Sequence, residues 1–330
     1  MLEEKFMIDR LDSGGLITNY YCTSKCRHCL YACSPAWGRE YIDAETTEKN
    51  IRKIRSLGCQ SIHIGGGEPF LNPSGLKTVV EIVCSLGVHI EYVETNSSWY
   101  IDKDSACEVL SSLQESGLST LLISISPFHN EHIPFYKVKG VIEACRIVNM
   151  NIFPWIMDFY PDIDAFDDRE RHPMEEYADR YGAQYLKELP SRYWIHFGGR
   201  ALHTFSKVLE MRPYRDILSL NQGGCFELAD VSHFHMDLFG SYIPGLCSGL
   251  SIRRDDLGDE LSSEQYPLLH TLFFRGIAGL FDLISDKHDF KPSERYLSKC
   301  HLCLDLRRHL VFDRGAEYSE LRPVGFYKYV

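Results

Sequence analysis

Basic charge is scarce in this 330-residue sequence. Lysine and arginine number 35 against 46 aspartates and glutamates, a formal net charge of −11. A protein that neutralises nucleic-acid phosphates needs a basic surface, so no nucleic-acid partner is expected. No run of five like charges occurs. No apolar stretch reaches the roughly 18 to 20 residues of a membrane helix, which predicts no membrane partner. The opening MLEEKFMIDRLD lacks the basic start and apolar core of a secretory signal, so the expected location is the cytoplasm. No glycine-rich phosphate loop of the dinucleotide type follows the first apolar run, which argues against an open doubly wound sheet. Cysteine, by contrast, is abundant at 12 residues. Disulfides are rare in a reducing compartment, so clustered cysteines there point to metal or catalysis.

Six short β-branched or aromatic runs, bounded by Gly, Pro, Asn or Ser, read as strands: 15–21, 61–64, 88–95, 120–126, 151–158 and 193–197. Amphipathic helical patterns separate them, at about 45–58, 74–86, 103–116, 137–150 and 174–187. Strands alternating with helices of this length predict βα units and a parallel sheet, closed into a barrel or part of one. The alternation stops near residue 212. The segment GGCFELADVSHFHMDLFGSYIPGLC then reads as a hairpin turning at 239–241, and YPLLHTLFFRGIAGLFDLI as a helix. Two closely packed domains are expected, 1–212 and 213–330.

Cys22, Cys26 and Cys29 form C-x3-C-x2-C just after the first strand. Three closely spaced thiols on one loop can hold three corners of an iron–sulfur cluster and leave one iron open. Structural zinc is the competing reading, with Cys33 or His28 as a fourth ligand. Cys225, Cys247, Cys300 and Cys303 supply four more thiols, ending in C-x2-C; these too could hold zinc. Cys84, Cys107 and Cys145 fall on apolar helix faces and read as small core residues.

Taken together, these motifs resemble the radical S-adenosylmethionine (radical SAM) superfamily. C-x3-C-x2-C follows the first strand, GGGEP (65–69) the second, ETNS (94–97) ends the third, SISPFH (124–129) the fourth, and GGRA (198–201) follows the sixth. Each motif falls at the C-terminal end of a predicted strand, the rim where α/β barrels build their sites. The resemblance covers about residues 14–201. It implies an α/β fold, a partial (βα)6 TIM-like barrel with a smaller C-terminal auxiliary [4Fe–4S] cluster domain.

It also implies cofactors and ligands. Cys22, Cys26 and Cys29 would hold a [4Fe–4S] cluster whose open iron takes S-adenosylmethionine. Gly66, Gly67 and Glu68 would meet the methionine amino group. Asn96, Ser124 and Ser126 are candidates for the methionine or ribose. His28 stands where most members carry an aromatic residue near the adenine. Each has a plainer reading as well: the glycines as a tight turn, Asn96 as a helix cap, the serines as strand residues. His129, Arg200 and Cys33 are candidate catalytic residues, with capping, surface or packing roles as the alternative.

The later cysteines resemble the auxiliary-cluster domains called SPASM and twitch, in the shorter twitch arrangement. Cys225, Cys247, Cys300 and Cys303 would then hold one auxiliary [4Fe–4S] cluster. Four protein ligands leave no vacant iron, which suits electron transfer and a net oxidation. The expected function is a radical SAM oxidoreductase that abstracts hydrogen from a peptide or protein and modifies it. The expected partners are a peptide or small-molecule substrate and a reductant such as flavodoxin or ferredoxin. Three alternatives stand beside it: a sugar or cyclitol dehydrogenase, a peptide epimerase, and a non-catalytic iron–sulfur or zinc protein. Epimerases of this kind need a hydrogen-donating thiol, and Ser248 follows Cys247 where one known arrangement places it.

Overall fold

A computed structural model describes residues 5–153, 157–192, 194–312 and 318–330. Its centre is one sheet. Strands β1 (Gly14–Ile17), β2 (Ser61–Gly65), β3 (His89–Thr95), β4 (Thr120–Ile123) and β5 (Asn151–Phe153) run parallel in spatial order β5-β4-β3-β2-β1. The short ribbon of β6 (Arg212–Pro213) and β10 (Arg295–Tyr296) lies apart. On the far side of β1 the sheet continues through β7 (Phe234–Asp237), β8 (Ser241–Ile243) and β9 (Ile252–Arg253). Strand β7 pairs parallel with β1, Gly15 facing His235, while β7–β8 and β8–β9 are antiparallel.

The helices between the parallel strands form where the sequence supplies start signals. Asp43, Asn72 and Asp102 cap helices Ala44–Ser56, Pro73–Ser85 and Lys103–Glu115, each side chain accepting a first-turn backbone N–H. Helix Phe135–Val148 ends at Asn149 in the left-handed conformation. Period-two alternation on the strands sends Leu16, Ile62, Ile64, Val93, Leu121 and Ile123 into the core. The alternate positions Tyr92, Glu94, Leu122, Ser124 and His235 line a cavity on the other face.

The α/β partial barrel expected from the sequence is present, with three differences. The aromatic run expected as a sixth strand is not one. Tyr193 lies outside the described residues, and 194–197 pair with no strand. Trp194, Ile195 and His196 form cavity wall instead, with Trp194 65% exposed. The helix expected at 174–187 is two, Met174–Tyr181 and Tyr185–Arg192, because Gly182 takes φ +111° and ends the first. Of the three cysteines read as core, Cys145 is buried, Cys107 half-buried and Cys84 exposed.

The hairpin turns where expected. Asp237 accepts N–H groups from Phe239 and Ser241, both at 2.9 Å, and Gly240 supplies a positive φ of 75°. Helix Pro267–His288 is long and apolar enough, by length and composition, to cross a membrane. No such stretch is expected from the sequence. Half of that stretch is buried within the protein, and the helix breaks at Gly276, where a Cβ would sit 2.0 Å from the Gly223 carbonyl oxygen.

Candidate active site

The cavity has a volume of about 550 Å³ and sits over the C-terminal ends of the parallel strands. Such a volume falls within the roughly 300–1,000 Å³ of small-molecule sites. Cys22, Cys26, Cys29 and Cys33 all line it, and no disulfide joins any of the twelve cysteines. Gly66, Gly67, Glu68, Asn96, Ser124, His28, His129 and Arg200 line it as well. Thus most of the candidate residues, from five chain segments, converge on one space. Ser126 does not line it; its hydroxyl is 2.7 Å from His129 Nδ1.

The two glycines are explained by close approach of the backbone. Gly67 N–H donates to the Asn19 carbonyl at 2.6 Å, and Glu68 N–H to the Tyr21 carbonyl at 3.2 Å. A Cβ on Gly67 would lie 2.0 Å from the Tyr21 carbonyl oxygen, and Gly66 has φ +150°. The loop is thereby laced to the chain entering the cysteine motif.

Glu68 is fully buried. Its carboxylate accepts from Asn96 N–H at 2.6 Å, Thr95 Oγ1 at 2.9 Å and Phe70 N–H at 3.2 Å. Burial outweighs these bonds and pushes its pKa up to about 7. Asn96 Nδ2 lies 3.3 Å from both Cys22 Sγ and Ser24 Oγ, and its Oδ1 accepts from Ser98 N–H at 2.9 Å. Asn96 therefore caps a turn and touches a thiol at once.

Cys33 is tied to the motif. Its thiol donates to the Gly66 carbonyl at 3.7 Å, and its interaction with Cys29 holds Cys29 down to about 6 while raising Cys33. Arg200 is 7% exposed and committed to backbone. Its Nε donates to the Cys26 carbonyl at 2.9 Å and its Nη2 to the Cys33 carbonyl at 2.7 Å. Gly199, at φ +51°, packs against the Cys29 and Leu30 carbonyls. The GGRA loop is thus a clamp on the cysteine loop. His28 stacks on Phe128 at 4.6 Å, and burial holds both His28 and His129 neutral, His129 with a pKa of about 4.

Several cavity residues carry no sequence motif: Tyr31, Tyr92, Trp194, His233 and His235; Glu94 lies in the ETNS motif, with no role expected for it from the sequence. Glu94 is pushed up to about 7 by burial. Two could have been found by strand alternation, since His233 and His235 stand at i and i+2 and share a face.

The second cysteine set also converges. Cys225, Cys247 and Cys300 are all raised, first by burial and then by one another and Cys303, Cys225 to about 12 and Cys300 to about 11. The Arg307 guanidinium, buried beside them, donates to the Cys303 carbonyl at 3.3 Å and the Ser248 carbonyl at 2.8 Å. Leu246, just before Cys247, lines the first cavity.

Residues 16–178 match the family model described as the Radical SAM superfamily. The chain carries a radical SAM domain. The superfamily's chemistry implies S-adenosylmethionine and a [4Fe–4S] cluster as cofactors of this domain. A relative in Bacillus subtilis (strain 168), YydG, is 27% identical over 169 residues, and its name assigns it provisionally to peptide biosynthesis. The match spans 48% of this chain and 48% of YydG, about half of each. Among solved structures, native anSMEcpe with bound AdoMet aligns over 92% of this chain and 98% of its own, at 14% identity and TM-score 0.45. Streptococcus suis SuiB bound to precursor peptide SuiA aligns over 96% and 76%, at 12% identity and TM-score 0.33.

Proposed function

We propose that this radical SAM enzyme modifies a peptide or protein by hydrogen abstraction, in a net oxidation, and that residues 213–330 form an auxiliary-cluster domain beside the barrel of residues 1–212. The observation that carries the reading is the convergence of Cys22, Cys26 and Cys29 with Glu68 and Asn96 on one cavity. The donor set fits the cofactors. Three thiols suit a cluster with one open iron, and a buried carboxylate suits the ammonium of S-adenosylmethionine.

A single zinc ion would draw its thiolates to about 3.8 Å of one another, given Zn–S bonds of about 2.3 Å. Among the described residues, neither cysteine set gathers three ligand atoms within 4.8 Å. Held by Cys22, Cys26 and Cys29, the first cluster would supply the electron for reductive cleavage of S-adenosylmethionine, and one held by Cys225, Cys247, Cys300 and Cys303 would accept the electron of the oxidation.

The chain's own residues orient and enclose. Glu68 and Asn96 hold the methionine end, and Ser124 is a ribose contact. His28, stacked on Phe128, presents a flat neutral ring for the adenine. Arg200 fixes the carbonyls of the cysteine loop. Cys225, Cys247, Cys300 and Cys303 hold the second cluster, with Arg307 offsetting thiolate charge. A peptide substrate is supported by the name of YydG and by the exposed aromatic wall at Trp194. The reductant is a flavodoxin- or ferredoxin-type protein, and the enzyme acts in the cytoplasm. The test is mass spectrometry of candidate peptides incubated with reduced enzyme and S-adenosylmethionine. A mass loss of two hydrogens on a peptide is expected. Modification of a sugar or cyclitol instead, with every peptide unchanged, would overturn the substrate class.

A further inference from the structure

Three histidines meet on the inner face of the sheet, outside both cysteine sets. His63 is on β2, His235 on β7, and His233 just precedes β7. Both His63 and His235 are register partners of Gly15 on the strand between them. Gly15 is what allows the meeting, because a Cβ there would lie 2.2 Å from His63 Nε2. Over that glycine, His63 Nε2 and His235 Nε2 approach to 2.9 Å. One ring nitrogen from each of the three histidines lies within 4.8 Å of the others. Among the described residues, no other trio of His, Cys, Asp or Glu is gathered so closely.

The rings are held in place. His63 is buried and stacks between Tyr92, at 5.2 Å, and His233, at 5.1 Å. Tyr31 OH is 2.7 Å from His235 Nδ1, which aims the opposite nitrogen at His63. Outer-shell bonds of this kind orient metal-binding imidazoles. Glu91 and Asp230 lie close enough to His233 to favour its charged form, but burial outweighs them and lowers its pKa. Burial also holds both His63 and His235 neutral, the form that binds metals.

We propose that His63, His233 and His235 bind one divalent first-row transition ion, such as zinc, with its fourth position open to the cavity. Three imidazoles and an open position suit such an ion. Tetrahedral bonds of about 2.0–2.1 Å place ligand nitrogens about 3.3 Å apart, against 2.9 Å for the His63–His235 pair and an upper bound of 4.8 Å within the trio. On binding, His235 uses Nε2 for the metal and donates Nδ1–H to the Tyr31 oxygen. His233 and His235 line the cavity, whereas His63 lies behind them. The open side therefore faces whatever occupies the cavity, and would take water or an oxygen or sulfur donor of the substrate.

The test uses the full chain, anaerobically reconstituted with iron and sulfide, then incubated with Zn²⁺ and desalted. Zinc and iron are measured per chain; Co²⁺ in place of Zn²⁺ reports tetrahedral nitrogen ligation by its visible spectrum. One zinc per wild-type chain is expected, with iron unchanged. His63→Gln and the more exposed His233→Gln should each weaken zinc binding at least tenfold while retaining iron, and Tyr31→Phe should weaken it roughly tenfold. Circular dichroism verifies that each variant folds. No retained zinc in folded wild-type protein, or zinc retained equally by both histidine variants, would overturn the site. Metal content is read without turnover, so this outcome is separate from the peptide reading.

Discussion

Replacing Arg200 with Met tests how the cysteine loop is held. The guanidinium is 7% exposed and donates to the carbonyls of Cys26 at 2.9 Å and Cys33 at 2.7 Å, with a longer contact to Tyr329 at 3.4 Å. Methionine fills similar space and donates nothing. Each orphaned buried carbonyl costs about 1–3 kcal/mol. Removing a buried charge offsets part of that loss. The net destabilisation should be about 3 kcal/mol, a fall in Tm of roughly 4–5 °C for a chain of 330 residues. Because both carbonyls belong to the cysteine loop, iron retention at the first cluster should fall with it. Arg200→Lys, with a shorter head and no fork, should fall between. Differential scanning calorimetry and iron analysis of the reconstituted protein are the assays. Unchanged Tm and full iron content, together with a raised KM for S-adenosylmethionine, would refute the reasoning and make Arg200 a ligand contact.

Gly67→Ala should disrupt the cavity, since its Cβ would meet the Tyr21 carbonyl oxygen at 2.0 Å. Overpacking against backbone and the loss of two backbone bonds should cost about 3 kcal/mol and abolish measurable S-adenosylmethionine binding, whereas Gly223→Ala, which meets open space, should change stability by less than about 0.5 kcal/mol. Affinity for S-adenosylmethionine should depend on pH through Glu68. Its folded pKa of about 7 lies above the usual 4.5, so the carboxylate that meets the ammonium is lost below pH 7. Calorimetric titration should show affinity falling up to about tenfold per pH unit below 7, with the dependence reduced in Glu68→Gln. For the free protein the sign reverses: the raised pKa stabilises it at low pH, and that contribution is lost as pH rises through 7. A flat affinity between about pH 5.5 and 8 would contradict the role given to Glu68.

Much of the fold could be read because local signals agreed with the tertiary outcome. Asp43, Asn72 and Asp102 begin helices as capping residues should. Ile62, Ile64, Val93, Leu121 and Ile123 alternate as strands should. The expected sixth strand failed because aromatic residues favour any half-buried surface, and here that surface is cavity wall. The neighbour gained by β1, strand β7, comes from more than 200 residues away in sequence and leaves no local trace. Residues inside motifs were legible as cavity lining: Cys22, Cys26, Cys29, Glu68 and Asn96. Arg200 was visible as a residue, but its attachment to two carbonyls depends on loop conformation. Tyr31 and the His63–His235 pair were hidden, since they become neighbours only when β1, β2 and β7 lie side by side.

The central claim is that the cysteine-lined cavity binds a cluster and cleaves S-adenosylmethionine. The most direct measurement is 5′-deoxyadenosine production by anaerobically reconstituted, reduced protein, with iron counted per chain. Wild-type protein should hold about seven to eight irons and release 5′-deoxyadenosine. Replacing Cys22, Cys26 and Cys29 with Ala should abolish cleavage and leave about four irons, while Cys300→Ala should spare the first cluster. Zinc filling the cysteine sites, no cleavage by fully reconstituted protein, or cleavage surviving the triple replacement would contradict the account.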